Sequence, residues 1–178
     1  MKVGFFLNSL NIIIGNICSL LAMASDSFSS TRKSAKGVLL VQCLSQFIYG
    51  VGTVILKGYS GAVQNAVSII RNFVAIKEVK SKAVEWILVL LGVGLGVAFN
   101  NLGLIGYLPI LANLQYTLAV FKFKDNDRAL KNSFAVCVAL FAAFNIAILN
   151  FVGFVSNLVV LVTTIVMIFK GKKNGESE

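Results

Sequence analysis

Seven apolar runs, separated by short polar or basic breaks, cover almost the whole sequence at about 3–24, 38–56, 61–76, 86–101, 103–121, 132–149 and 151–169. A helix needs about 20 predominantly apolar residues to cross the roughly 30 Å hydrocarbon core of a bilayer. The pattern therefore predicts an all-α membrane protein with seven transmembrane helices and no stretch left over for an aqueous domain. The breaks after the second, fourth and sixth runs, at Lys57 to Ser60, Asn100-Asn101 and Asn150, are too short to hold a folded unit. They fall on one side of the membrane.

Composition agrees with that picture: of 178 residues, 57% are hydrophobic and 13% charged. The net charge of +9 would suit a nucleic-acid partner, but the basic residues occupy loops instead of one amphipathic face. Arg32, Lys33 and Lys36 follow the first run, Lys77, Lys80 and Lys82 the third, Lys122, Lys124, Arg128 and Lys131 the fifth, and Lys170, Lys172 and Lys173 the seventh. Only Lys2 and Lys57 fall on the opposite side, and short basic loops are retained in the cytoplasm. The N-terminus is therefore expected outside and the C-terminus in the cytoplasm, in a multi-pass membrane protein. Ala22-Met23-Ala24 offers a rival reading of the first run as a cleaved signal peptide. That reading would export Arg32, Lys33 and Lys36 and break the charge asymmetry. Cys18, Cys43 and Cys137 lie within apolar runs, without metal-ligand spacing, and read as small buried residues.

An odd helix number admits a 3+1+3 plan, in which two parallel three-helix units are joined by one inverting helix. The expected units are residues 1–82 and 103–170, the linker helix 83–102 and a cytoplasmic tail 171–178. An offset of 92 residues lays Leu56 to Lys77 over Ile148 to Phe169, matching Gly61 with Gly153, Gln64 with Ser156 and Asn65 with Asn157. Asn16 and Asn113 each stand in the first helix of a half.

Polar residues at membrane depth must find a partner or line a cavity. In the second run Gln42, Gln46, Tyr49 and Thr53, with Ser45 alongside, form one helical stripe. In the third, Gln64, Asn65, Ser68, Arg71 and Asn72 share a side, and the first adds Asn8, Asn11, Gly15 and Ser19. Each amide taken singly reads as an interhelical tie worth about 1 kcal/mol; the convergence of many reads as a cavity. Arg71 is the sharpest signal, because a guanidinium at depth costs at least about 2.5 kcal/mol. No carboxylate is expected inside a helix, so Arg71 either snorkels as a structural anchor or meets an anionic or carbonyl-bearing ligand. Pro109 is expected to kink the fifth helix, as a hinge at a binding site or as a structural proline, with Asn113 and Tyr116 one and two turns on. Gly92 and Gly96 form a small-residue face for close helix packing. Without His, an acid pair at depth or a nucleophile beside a base, no enzyme is expected, nor any metal or other cofactor.

The segment Ala62 to Lys77, with Asn65 and the pair Arg71-Asn72, resembles the bacterial inner-membrane YgjV family. The basic loop after the first helix, the turn Gly58 to Gly61 and the pair Leu108-Pro109 come in the same order. The resemblance implies a small inner-membrane protein and supplies no substrate. The layout also resembles the SWEET and PnuC-type seven-helix transporters, which implies a substrate site between two three-helix units. The chain departs from the sugar facilitators in lacking a proline in its first helix and in the apolarity of its sixth.

The expected function is a facilitator for a small polar metabolite, working by rocking of two units about a midplane cavity lined from the first, second, third and fifth helices. Its candidate residues are Asn16, Gln46, Tyr49, Asn65, Arg71, Asn72, Asn113, Tyr116 and Asn157. The alternative is a non-transporting scaffold or accessory subunit that docks a membrane partner, or a second copy of itself, on the Gly92 and Gly96 face. The lipid bilayer is the surrounding partner in either case.

Overall fold

The computed structural model describes residues 8–29, 35–79, 81–123 and 127–175. Among them run seven α-helices: α1 (Ser9–Ser29), α2 (Ala35–Ile55), α3 (Tyr59–Ile76), α4 (Lys82–Ala98), α5 (Tyr107–Lys122), α6 (Asp127–Ala147) and α7 (Phe151–Gly175), with a 3-10 turn at Gly103–Gly106 leading into α5. The expected tail at 171–178 is largely the last turn of α7, and 176–178 lie outside the described residues. So do Lys2, Arg32, Lys33, Lys80, Lys124 and Asp125.

The helices stop where local chemistry stops them. Asn8 caps α1, its Oδ1 accepting the Leu10 N–H at 3.3 Å. At the end of α2, Lys57 turns left-handed with φ 57°, and the Gly58 N–H reaches back to the Thr53 carbonyl at 2.8 Å. The end of α6 repeats the device: Leu149 has φ 61°, and the Asn150 N–H donates to the Asn145 carbonyl at 2.8 Å. Asn150 then caps α7, accepting the Gly153 N–H at 3.0 Å.

Packing runs in chain order within α1-α2-α3 and within α5-α6-α7, and α2 and α6 are the central helix of each set. Smaller contacts of α3 with α5 and of α7 with α1 close the six into a ring, while α4 lies outside it against α3 and α5. Gln64 meets Asn113 and the later Arg71 meets the later Tyr116, so α3 and α5 run parallel. Gly15 of α1 sits on Leu56, and Gly52 of α2 approaches Cys18 and the Gly15 backbone. Small residues thus let α1 and α2 come close, and Ala22 is fully buried. These contacts pack the first helix against the second. They also reassign Gly15 from the expected polar seam to helix packing.

The solvent logic of the ring is inverted. Large apolar side chains such as Leu20, Leu44, Phe47, Ile70, Leu90, Leu111, Val136 and Val159 point outward, while Ser45, Thr53, Gln64, Ser68, Asn72 and Asn113 are buried. Water would oppose such an arrangement and hydrocarbon favours it. Ser9–Ser27 and Phe151–Phe169 are long and apolar enough to cross a membrane, and Leu39–Ile55 and Lys131–Ala147 are shorter apolar helices. The other three are short, with 18, 17 and 16 residues in α3, α4 and α5. The inward amides and Arg71 also lower the apolarity of α3.

Two expectations are corrected. Pro109 is the third residue of α5, within the first turn, where N–H groups have no intrahelical acceptor. There it removes no hydrogen bond from the interior of α5, and the change of pitch falls just before it, at the junction of the 3-10 turn and α5. The Gly92 and Gly96 face is occupied within the chain. The Gly92 carbonyl accepts Gln64 Nε2 at 2.8 Å, and a Cβ at Gly96 would lie 2.6 Å from that nitrogen and 2.8 Å from Ile110. A partner helix finds no free glycine face there.

Candidate functional site

The ring encloses a pocket of about 240 Å³, below the roughly 300–1,000 Å³ of sites for drug-sized ligands. Gln46, Tyr49 and Thr53 enter it from α2, Asn65, Ser68 and Arg71 from α3, Asn113 and Tyr116 from α5, and Ser156 and Asn157 from α7. The helix α6 contributes Phe134, Cys137, Val138, Phe141, Phe144 and Asn145, and α1 contributes Asp26. At one end the pocket meets an apolar cluster of Leu56, Leu102, Phe144 and Ile148, with Ile12 and Leu108 against it.

Seven of the nine candidate cavity residues come together there: Gln46, Tyr49, Asn65, Arg71, Asn113, Tyr116 and Asn157. Asn16 does not. Its Nδ2 donates to the Leu149 carbonyl at 2.9 Å and its Oδ1 accepts the Val152 N–H at 2.9 Å, so it ties α1 to the start of α7. Asn72 is buried beside Cys43 between α2 and α3, outside the pocket lining. Asn113 also serves as a tie, because its Nδ2 donates to Gln64 Oε1 at 2.9 Å.

Arg71 is half-buried, with its guanidinium carbon 6.0 Å from the Tyr116 ring centre. Tyr116 leans on Phe134 at 5.4 Å and 52°, so an aromatic pair supports the cation from one side. Among the described residues Arg71 has no carboxylate within ion-pair distance and no hydrogen-bond acceptor. The side chain lines the pocket beside Tyr116.

The expectation of no carboxylate inside a helix is overturned. Asp26 lies within α1 and lines the pocket, facing Ser45 and within electrostatic reach of Tyr49, whose hydroxyl faces Ser156. The last turn of α1 runs past the apolar run that framed it, so the sequence left Asp26 in a loop. The helix α6 is the other omission, because its lining is mainly aromatic and apolar and carries no polar stripe. One signal could have found it. Six pairs of lining residues stand 92 positions apart: Gln46 and Val138, Tyr49 and Phe141, Thr53 and Asn145, Gly61 and Gly153, Asn65 and Asn157, and Ser68 and Val160. The two sets line one pocket, polar on the first side and more apolar on the second. Among the described residues no group of three or more His, Cys, Asp or Glu is placed to hold a metal ion.

An inside-out helical ring with a polar pocket at its centre is the construction of a membrane protein. The chain belongs to the family of bacterial inner membrane proteins Imp-YgjV, whose model matches residues 13–174. Neither a curated protein nor a solved structure matches it.

Proposed function

We propose that this chain is a multi-pass facilitator for a small polar solute, binding its substrate in the central pocket. The carrying observation is Arg71: a guanidinium with five N–H donors lines a pocket and has no acceptor among the described residues. A cation at depth needs compensation, and a solute carboxylate or other anionic oxygen supplies it. In this reading α1-α2-α3 and α5-α6-α7 are two three-helix units linked by α4, arranged as in SWEET or PnuC-type carriers. The N-terminus is outside and the C-terminus cytoplasmic. Packing within each set is more extensive than between them, which suits rocking of one unit against the other.

The test is a thermal-shift screen of detergent-purified protein against sugars, nucleosides, vitamins and organic anions, then uptake of any stabilising compound into proteoliposomes. Native-state binding stabilises by about 2.7 kcal/mol at a hundredfold excess over Kd. A stabilising solute that enters liposomes with the wild type, and not with folded Arg71→Gln, supports the proposal. Absence of both stabilisation and uptake across the panel overturns it.

A further inference from the structure

At one end of the pocket the two sets of helices are tied to each other by a repeated device. Lys57 ends α2 and Leu149 ends α6; they stand 92 positions apart, and both turn left-handed, with φ 57° and 61°. Carbonyls at a helix end need an outside donor. Both are answered by side-chain amides from across the ring. Asn16 of α1 donates to the Leu149 carbonyl at 2.9 Å, and Asn101, in the connection leading to α5, donates to the Lys57 carbonyl at 2.7 Å. At the same end lies the apolar cluster, in which Leu56 and Ile148, again 92 positions apart, are fully buried with Phe144 and Leu102 beside them. Asn100 holds Leu102 in place, its Oδ1 accepting the Leu102 N–H at 3.0 Å. The opposite end is built differently. There the sets meet at Arg71 over Tyr116, Arg71 is half-buried, and the pocket is not enclosed.

We infer that this cluster is a closed gate latched by Asn16 and Asn101: solute reaches the pocket from the Arg71 end and passes the Leu56 and Ile148 end only when both ties part. The inference rests on the reading of the chain as a facilitator and gives a role to Asn16, which that reading leaves outside the pocket. A close-packed apolar constriction stops water and polar solutes without a polar seal. Because the ties run across the ring, rocking of one set against the other breaks them and separates the apolar side chains in the same movement. Their chemistry suits a latch. A neutral amide on a helix-end carbonyl is a bond of modest strength, and water takes its place once the gate opens. The Asn101 bond already lies at an exposed position.

The experiment reads access to the pocket, so it needs no identified solute. In a background with Cys18, Cys43 and Cys137 replaced by Ala, Asn65→Cys puts a thiol on the pocket lining. Right-side-out and inside-out membrane vesicles are treated with the impermeant reagent sulfonatoethyl methanethiosulfonate, and Lys57→Cys and Lys36→Cys report which end of the molecule each preparation exposes. The Asn65→Cys thiol is expected to react from the Lys36 side and to be protected from the Lys57 side. Adding Asn16→Leu or Asn101→Ala should raise the rate from the Lys57 side by about tenfold, a shift in open population that the loss of one tie accounts for. Equal reaction from both sides before either tie is removed, or reaction from neither, overturns the inference. So does a Lys57 side that stays closed in folded variants of both ties; the cluster is then a fixed floor, and the pocket stands as a solute site that the thermal-shift screen still tests. A gate that opens as expected, while that screen and uptake find nothing, upholds the latch and sinks the facilitator reading alone. Should Asn16→Leu not fold, Leu102→Ala loosens the cluster without touching either tie and is expected to open the same side; no added reaction there would overturn the inference.

Discussion

Gln64 and Asn113 form a buried amide pair that joins three helices. Asn113 Nδ2 donates to Gln64 Oε1 at 2.9 Å and to the Gln64 carbonyl at 3.3 Å, while Gln64 Nε2 donates to the Gly92 carbonyl of α4 at 2.8 Å. Gln64 is 1% exposed, so a lost partner is not replaced by water. Gln64→Leu should therefore destabilise by about 1–2 kcal/mol, toward the upper end for interhelical hydrogen bonds in membranes. A double-mutant cycle with Asn113→Leu, read by denaturant unfolding in detergent, should show that the two losses are not additive. Additive losses would mean that the amides act independently.

Glycine at 96 is fixed by that same junction. Gly96→Val would press its Cβ on Gln64 and Ile110, costing about 1–3 kcal/mol by overpacking, whereas Gly94 has open space and Gly94→Ala should be neutral or mildly stabilising through helix propensity. Melting of the two variants by size-exclusion chromatography after heating separates them. Equal melting would show that α4 does not pack as described.

Asn16 holds the α1 and α7 seam near the start of α7. Removing it in Asn16→Leu releases the Leu149 carbonyl and the Val152 N–H, a loss of about 1–2 kcal/mol. Hydrogen exchange at Val152 should accelerate by about tenfold, the factor that corresponds to about 1.4 kcal/mol, with the interior of α4 unaffected. Protection at Val152 equal to that of the wild type would mean that another contact holds the seam.

The proposed orientation has a direct chemical test. Lys36 pairs with Glu78 at 3.0 Å, which places the α1–α2 and α3–α4 connections on one face. Asn101 donates to the Lys57 carbonyl at 2.7 Å, which places the α2–α3 and α4–α5 connections on the other. In a background with Cys18, Cys43 and Cys137 replaced by Ala, Lys57→Cys should react with an impermeant maleimide on intact cells, and Lys36→Cys only after permeabilisation. The reverse pattern would invert the proposed topology. The Lys36–Glu78 pair itself is exposed and worth about 0–1 kcal/mol at most, so Lys36→Cys should fold.

The helices were legible because apolar runs and left-handed or capped breaks are local. The runs around α2 and α6 end at Lys57 and Leu149, where the chain turns, and Asn150 caps α7. The stripe Gln46, Tyr49, Thr53 was readable for the same reason, since a helical period places these residues on one face whatever surrounds them. The place of Pro109 in its helix was not legible because it depends on where α5 begins, and the 3-10 turn moves that start to Tyr107.

What the sequence determined by itself is the set of apolar helices, the basic loops between them and the presence of Arg71 and many amides that hydrocarbon would not tolerate unaccompanied. Those features come from hydration energies of individual residues, which a chain carries with it. The tertiary structure decided which amides are ties and which line the pocket. It sent Asn16 to α7, gave Gln64 to Gly92, and brought Asp26 and the aromatic face of α6 to the cavity that holds Arg71. Those outcomes depend on which helix stands opposite which. Hydrophobicity sets only that a polar group must face inward, and ring closure selects the neighbour it meets there.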